Sequence, residues 1–156
     1  MRKIFTLTLI LFSLVIFSAG AQLAVGYNTD GNTLSLSMNS QQKLWGEFRV
    51  NTKAYNQAGW SYSDRGITQA YLLARIYSSK NVSLYSGGGF GVNALSEDKD
   101  KWVSVNIPVG IKINPFASLP DLYILGEYDP MFIIADGMPV INCISLGFRY
   151  ILNKGE

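Results

Sequence analysis

Residues 102–113 read WVSVNIPVGIKI. In an extended chain, Val103, Val105, Ile107, Val109, Ile111 and Ile113 fall on one side, and Trp102, Ser104, Asn106, Pro108, Gly110 and Lys112 on the other. The first side carries no polar side chain. The stretch therefore reads as one β-strand with an oily face and a guarded face. Two surroundings suit it: the interior of a soluble β-protein, or the hydrocarbon of a bilayer, which a tilted strand of about 9 to 11 residues crosses. The flanking sequence separates these alternatives.

On both sides the period-two pattern repeats. Strands are expected at Gln22 to Asn28, Asn32 to Asn39, Lys43 to Asn51, Ile67 to Tyr77, Val82 to Asn93, Leu122 to Ile134 with an interruption at Pro130, and Val140 to Leu152. With the opening stretch that makes eight strands, and no segment has a helical period. Leu44, Gly46, Phe48 and Val50 oppose Trp45, Glu47, Arg49 and Asn51. Ala70, Leu72, Ala74 and Ile76 oppose Tyr71, Leu73, Arg75 and Tyr77, and Ile144, Leu146, Phe148 and Tyr150 oppose Cys143, Ser145, Gly147 and Arg149. Thr29-Asp30-Gly31 and Asp136-Gly137 carry tight-turn chemistry. Gly87-Gly88-Gly89-Phe90-Gly91 weakens its strand but lets a bulky neighbour come close.

If the apolar faces point outward, the inward set contains Glu47, Arg49, Arg75, Lys112, Glu127, Asp129 and Arg149. A soluble barrel has the opposite polarity, because burying an ion costs several kcal/mol unless it is paired. An inside-out chain makes sense when its outer solvent is lipid. The connections agree. Starting Gln22 in the periplasm puts the short turns at Ser40, Ser78 and Asn114 there and the longer segments at Thr52, Leu95 and Pro130 outside; only the short loop at Thr29 dissents.

The first 21 residues carry Arg2 and Lys3, an apolar run from Ile4 to Phe17, and small residues Ser18-Ala19-Gly20-Ala21. They read as a cleaved secretory signal, leaving residues 22–156 as one barrel domain. Removing two of the 13 basic residues leaves 11 against 11 acidic ones. A neutral chain offers nucleic acid no electrostatic footprint. Cys143 stands alone, which excludes an internal disulfide framework.

The pattern resembles the small outer-membrane β-barrel proteins of Gram-negative bacteria, of the outer-membrane protein X and PorT-like kind. Ile107-Pro108-Val109-Gly110-Ile111-Lys112 resembles that group's strand with a mid-strand proline followed by apolar residues and a lysine. Ile144-Ser145-Leu146-Gly147-Phe148-Arg149-Tyr150 is similar to the closing strand that the barrel-assembly machinery recognises, although this chain continues to Glu156. The resemblance implies an eight-stranded antiparallel up-and-down transmembrane barrel in the outer membrane, in contact with membrane lipid.

The chain has no histidine, which removes Ser/His/Asp triads, Cys/His pairs and ordinary zinc sites. The resemblance adds that barrel enzymes acting on lipid A use histidine-containing sites. Glu127 and Asp129 form a carboxylate pair on one strand face, suited to acid–base work but better read as partners for Arg49, Arg75, Lys112 and Arg149 in a lumen charge network. Gly87 to Gly91 is followed by no phosphate-binding Lys-Ser/Thr, and Lys99 and Lys101 interleave Glu97, Asp98 and Asp100 against calcium. Asn81-Val82-Ser83 matches a glycosylation triplet by chance. No cofactor or metal is expected.

The expected function is a non-enzymatic outer-membrane barrel with a side-chain-filled lumen and loops that meet an extracellular protein or glycan. Tyr55, Trp60 and Tyr62 in the Thr52 to Gly66 connection, and Met131 and Phe132 in the Pro130 hairpin, are the candidate loop contacts. Two rivals remain at this level. One is a soluble lipocalin-like barrel with a lipid in its interior, for which inside and outside exchange. The other is a lipid-modifying barrel enzyme using Glu127 or Asp129.

Overall fold

Alternation of large apolar with small or polar residues leaves each segment one way to sit on a curved sheet, and the chain takes it almost throughout. The computed structural model describes residues 22–38, 40–51, 55–57, 60–62, 67–93, 102–134 and 140–152. The segment expected to be a signal, the Leu95 to Lys101 loop and the Asp136-Gly137 turn lie outside these residues.

The strands are β1 (Leu23–Asn28), β2 (Thr33–Met38), β3 (Leu44–Asn51), β4 (Tyr55–Gln57), β5 (Trp60–Tyr62), β6 (Thr68–Ser78), β7 (Val82–Val92), β8 (Val103–Asn106), β9 (Val109–Ile113), β10 (Leu122–Ile134) and β11 (Val140–Ile151). All pairings are antiparallel, and β11 pairs with both β10 and β1, which closes the sheet on itself. Because β8 and β9 occupy one position between β7 and β10, the wall has eight staves. β4 and β5 form a two-stranded sheet of their own. The Tyr55, Trp60 and Tyr62 connection thus contains a hairpin, with Tyr55 opposite Tyr62.

Register fixes the geometry. Ile124 pairs with Phe148, Phe148 with Tyr27, Tyr27 with Leu34, Leu34 with Val50, Val50 with Thr68, Thr68 with Val92, Val92 with Val103, and Val103 with Ile134. A rung begun at Ile124 therefore returns to β10 ten residues further on, at Ile134. With eight staves and ordinary strand spacings, that offset corresponds to a tilt of about 40° from the barrel axis.

The opening stretch is not one continuous strand. It breaks at Ile107-Pro108, between β8 and β9. Pro130, by contrast, lies within unbroken β10 and accepts a hydrogen bond from Ile107 N at 3.3 Å. A strand residue directs its N and C=O to the same neighbour in an antiparallel sheet. Pro108 O accepts from Gly87 N at 3.3 Å, so the donor that Pro108 lacks faces β7, whereas the donor that Pro130 lacks faces the β8–β9 break.

The other departure is a register shift between Arg75 and Tyr77. Arg75 pairs with Tyr85 and Tyr77 with Leu84, so Ile76 is an extra residue in β6. The shift turns Tyr77 outward, 57% exposed, where simple alternation points it inward.

Leu44, Leu72, Phe90, Ile107, Val109, Ile144, Leu146 and Phe148 face outward and are exposed. Ser35, Glu47, Arg49, Gln69, Glu127, Asp129 and Arg149 face inward and are buried. At the end carrying the Ser40, Ser79 and Asn114 turns, the turn end, the interior holds Trp45, Leu73 and Tyr85. At the opposite loop end, Ile67, Trp102, Met131, Ile133, Ile141 and Cys143 form a second apolar cluster. The charged groups lie between the two.

Candidate functional site

Arg49 on β3 is the centre of the interior. Its Nε donates to Glu47 Oε1 at 2.8 Å, and its two terminal nitrogens grip Glu127 in a two-pronged bond, Nη2 reaching Oε2 at 2.9 Å and Nη1 bonding Oε1. Nη1 also lies 3.8 Å from Asp129 Oδ2. Arg149, fully buried on β11, donates from Nη2 to the other oxygen of Glu47. Two arginines and three carboxylates from three staves are thereby joined.

Aromatic hydroxyls extend the network. Tyr85 donates to Glu127 Oε2 at 2.8 Å, and Tyr71 donates to Asp129 Oδ2. Asn106 Nδ2 donates to the Tyr71 hydroxyl at 2.7 Å, and the Ser104 hydroxyl donates to Asn106 Oδ1 at 2.7 Å. The Arg49 guanidinium stacks on the Tyr71 ring, 4.3 Å from its centroid. Buried charges that lose hydration need such replacement partners.

Glycine makes the room. A side chain at Gly89 would run into the Tyr71 ring, and one at Gly110 into the Tyr85 ring. Register explains both, since Tyr71 pairs with Gly89 and Tyr85 with Gly110. Each tyrosine lies flat across a neighbouring stave and sends its hydroxyl to a carboxylate. Tyr85 also meets Trp45 edge-on, with centroids 5.5 Å apart.

The predicted charge set divides three ways. Glu47, Arg49, Glu127, Asp129 and Arg149 meet. Lys112 is buried nearby, but its Nζ donates to the Ser40 carbonyl at 2.7 Å and sits over the Trp45 and Tyr123 rings, 5.5 and 4.9 Å from their centroids. Arg75 is a correction: it is half-buried at the turn-end rim and enters none of these ion pairs. Tyr71, Tyr85 and Asn106 belong to the network although the sequence did not single them out. Their signal was positional, an inward tyrosine opposite a glycine.

Met131 is a second correction. It is fully buried in the interior at the loop end and donates no surface to a loop contact, because β10 continues through Pro130 and keeps its alternation. Phe132 is exposed, but on the outer wall, paired with Val105 and Val140. For Tyr55, Trp60 and Tyr62 the structure gives the hairpin pairing.

Chemically, most of the network is hydrogen-bonded, while Asp129 Oδ1 and the Arg149 Nε and Nη1 make no hydrogen bond to the described residues. Glu127 accepts from Arg49 and Tyr85, and beside Arg49 and Asp129, near the Thr29 turn, about 10 Å³ is left, room for one water. Among the described residues this interior offers an acyl chain no apolar cavity.

No protein-family model matches the chain, and no curated protein matches it. Among solved structures it is similar to the N-terminal β-barrel domain of Pseudomonas aeruginosa OprF, with a TM-score of 0.54 and 10% identity over 86% of this chain and 98% of that one. It is also similar to the Yersinia pestis outer membrane protein Ail, determined in a phospholipid bilayer nanodisc, with a TM-score of 0.48 and 17% identity over 86% of this chain and 100% of that one. The fold is that of a closed, eight-stranded, all-antiparallel barrel, the class to which these outer-membrane barrels belong.

Proposed function

We propose that the chain is a non-enzymatic outer-membrane protein of a Gram-negative cell, exported on residues 1–21 as a cleaved signal and inserted by the barrel-assembly machinery. The observation that carries this reading is the reversed polarity of the wall: Ile144 is 78% exposed, while its neighbour-but-four Arg149 is fully buried. Such a wall suits lipid outside and a hydrogen-bonded plug inside. The shared architecture with the OprF barrel domain supports it. Kinship with the outer-membrane protein X and PorT-like group belongs to the proposal and rests on Ile107 to Lys112 and Ile144 to Tyr150.

In this reading the lumen is a strut rather than a channel or a reaction chamber, since both oxygens of Glu127 are held by Arg49 and Tyr85 and one oxygen of Asp129 by Tyr71. Function then lies at the loop end, in the β4–β5 hairpin that contains Tyr55, Trp60 and Tyr62, with an extracellular protein or glycan as the partner. Envelope fractionation with boiled and unboiled gel samples tests the placement. Outer-membrane protein whose mobility changes on boiling is the expected result, whereas a soluble periplasmic species overturns it in favour of a lipocalin-like carrier. Retained surface binding of glycans or proteins after replacing Tyr55, Trp60 and Tyr62 by serine would overturn the loop assignment.

A further inference from the structure

The turn-end rim carries a pairing that the interior network does not explain. Arg75 N donates to Lys43 O at 2.8 Å, so Arg75 on β6 stands directly opposite Lys43, the residue before β3. Lys43 lies two residues before buried Trp45, and Arg75 two residues after buried Leu73, so both occupy the interior-side face at the last rung. Like charges directly opposite one another destabilise a sheet. Buried Lys112 adds a third cation at this end, by the Ser40 turn, and exposed Lys80 stands on the adjoining turn. Against these, Asp121 is the one carboxylate among the described residues at this end, on the far side of the mouth beside Ile151. Glu47, further in, is already held by Arg49 and Arg149.

The outer face of the same rim is apolar. The bulge after Arg75 turns both Ile76 and Tyr77 outward, and Leu44 is exposed one residue from Lys43. Cations on the lip and aliphatic and aromatic surface just around it match a molecule with a phosphate head and acyl chains.

We infer that the Lys43–Arg75 pair at the turn-end rim binds the phosphate of an anionic phospholipid, whose chains lie along Leu44, Ile76 and Tyr77. This rests on the membrane reading above, which puts the turn end at the periplasmic leaflet. The phosphate oxygens accept from the lysine ammonium and the arginine guanidinium, and the repulsion between the two cations becomes shared attraction.

The test uses the full barrel folded in neutral detergent, titrated with short-chain phosphatidylglycerol, short-chain phosphatidylcholine and inorganic phosphate. Saturable binding of phosphatidylglycerol, at least about tenfold weaker for phosphatidylcholine and for phosphate, is expected. Lys43→Glu should abolish it and at the same time raise the unfolding temperature, because a carboxylate then faces Arg75; a merely structural role for Lys43 would not move the two readouts in opposite directions. Heat-modifiable migration of the variant shows the barrel intact, so that loss of the site and failure of the membrane reading are told apart. Equal binding of phosphate alone, equal binding of phosphatidylcholine, or binding undiminished in Lys43→Glu overturns the proposal.

Discussion

Arg49 and Glu127 are joined across the full width of the barrel: β3 and β10 are four staves apart in either direction round the wall, and the guanidinium and carboxylate meet in a two-pronged bond. A bond between adjacent strands would only add to an existing ladder. This one ties opposite walls together, and Glu47–Arg149 and Tyr71–Asp129 brace it at three staves' separation.

Removing one end of such a tie leaves its partner buried and charged. Arg49→Met should therefore lower the stability of the folded barrel by about 3–5 kcal/mol, read as a fall in the urea midpoint in detergent. The double replacement Arg49→Met with Glu127→Leu should lose less than the two single changes summed. Strict additivity would show that the two residues are not coupled.

A lumen crossed by these bonds should not pass ions. The native barrel in a planar bilayer is expected to show no steady conductance, and Arg49→Ala with Glu127→Ala should produce open events. Steady current through the native protein would mean that the interior opens in a way the bonded network does not allow.

Tyr85 reaches Glu127 only because Gly110 leaves its ring a place. Gly110→Val should cost about 1–3 kcal/mol, and Tyr85→Ala should restore much of it despite deleting a hydrogen bond. Failure of that rescue, measured by the same urea midpoint, would place the defect of Gly110→Val in the backbone instead.

Ile107 faces outward beside the break between β8 and β9. A lysine there puts a charge on the apolar wall, at a penalty of about 2–4 kcal/mol near the middle of a bilayer. Ile107→Lys is expected to reduce outer-membrane assembly, followed by fractionation, whereas a charge at the solvent-facing end, as in Lys80→Glu, should leave assembly unchanged.

Much of this was legible in the chain, because a half-buried strand writes its two faces in period two. The interior positions of Glu47, Arg49, Glu127 and Arg149 follow from counting alone. What counting missed came from events between strands. Tyr77 counts as inward because nothing in Leu73-Ala74-Arg75-Ile76-Tyr77 announces an inserted residue; the bulge exists only relative to β7. Pro108 and Pro130 look alike in the sequence, yet one interrupts its strand and the other does not, because what decides is the neighbour each missing donor faces. Met131 read as a loop residue for the same reason, since the proline before it suggested a stop that the sheet absorbed. Partnerships within the interior, such as Tyr85 with Glu127, needed the register of several staves at once.

The extra residue at Ile76 bears on how such a wall evolves. In a closed ring of strands, no stave can slide past its neighbour without dragging the rest of the circuit, so a one-residue insertion elsewhere would invert the inner and outer faces of everything beyond it. Here the inversion is confined to the final turn of β6, where Tyr77 leaves the inside and Tyr71 and Leu73 keep their places. The rim thus acts as an expansion joint, at which the chain can gain or lose length while the ring beneath it keeps its count.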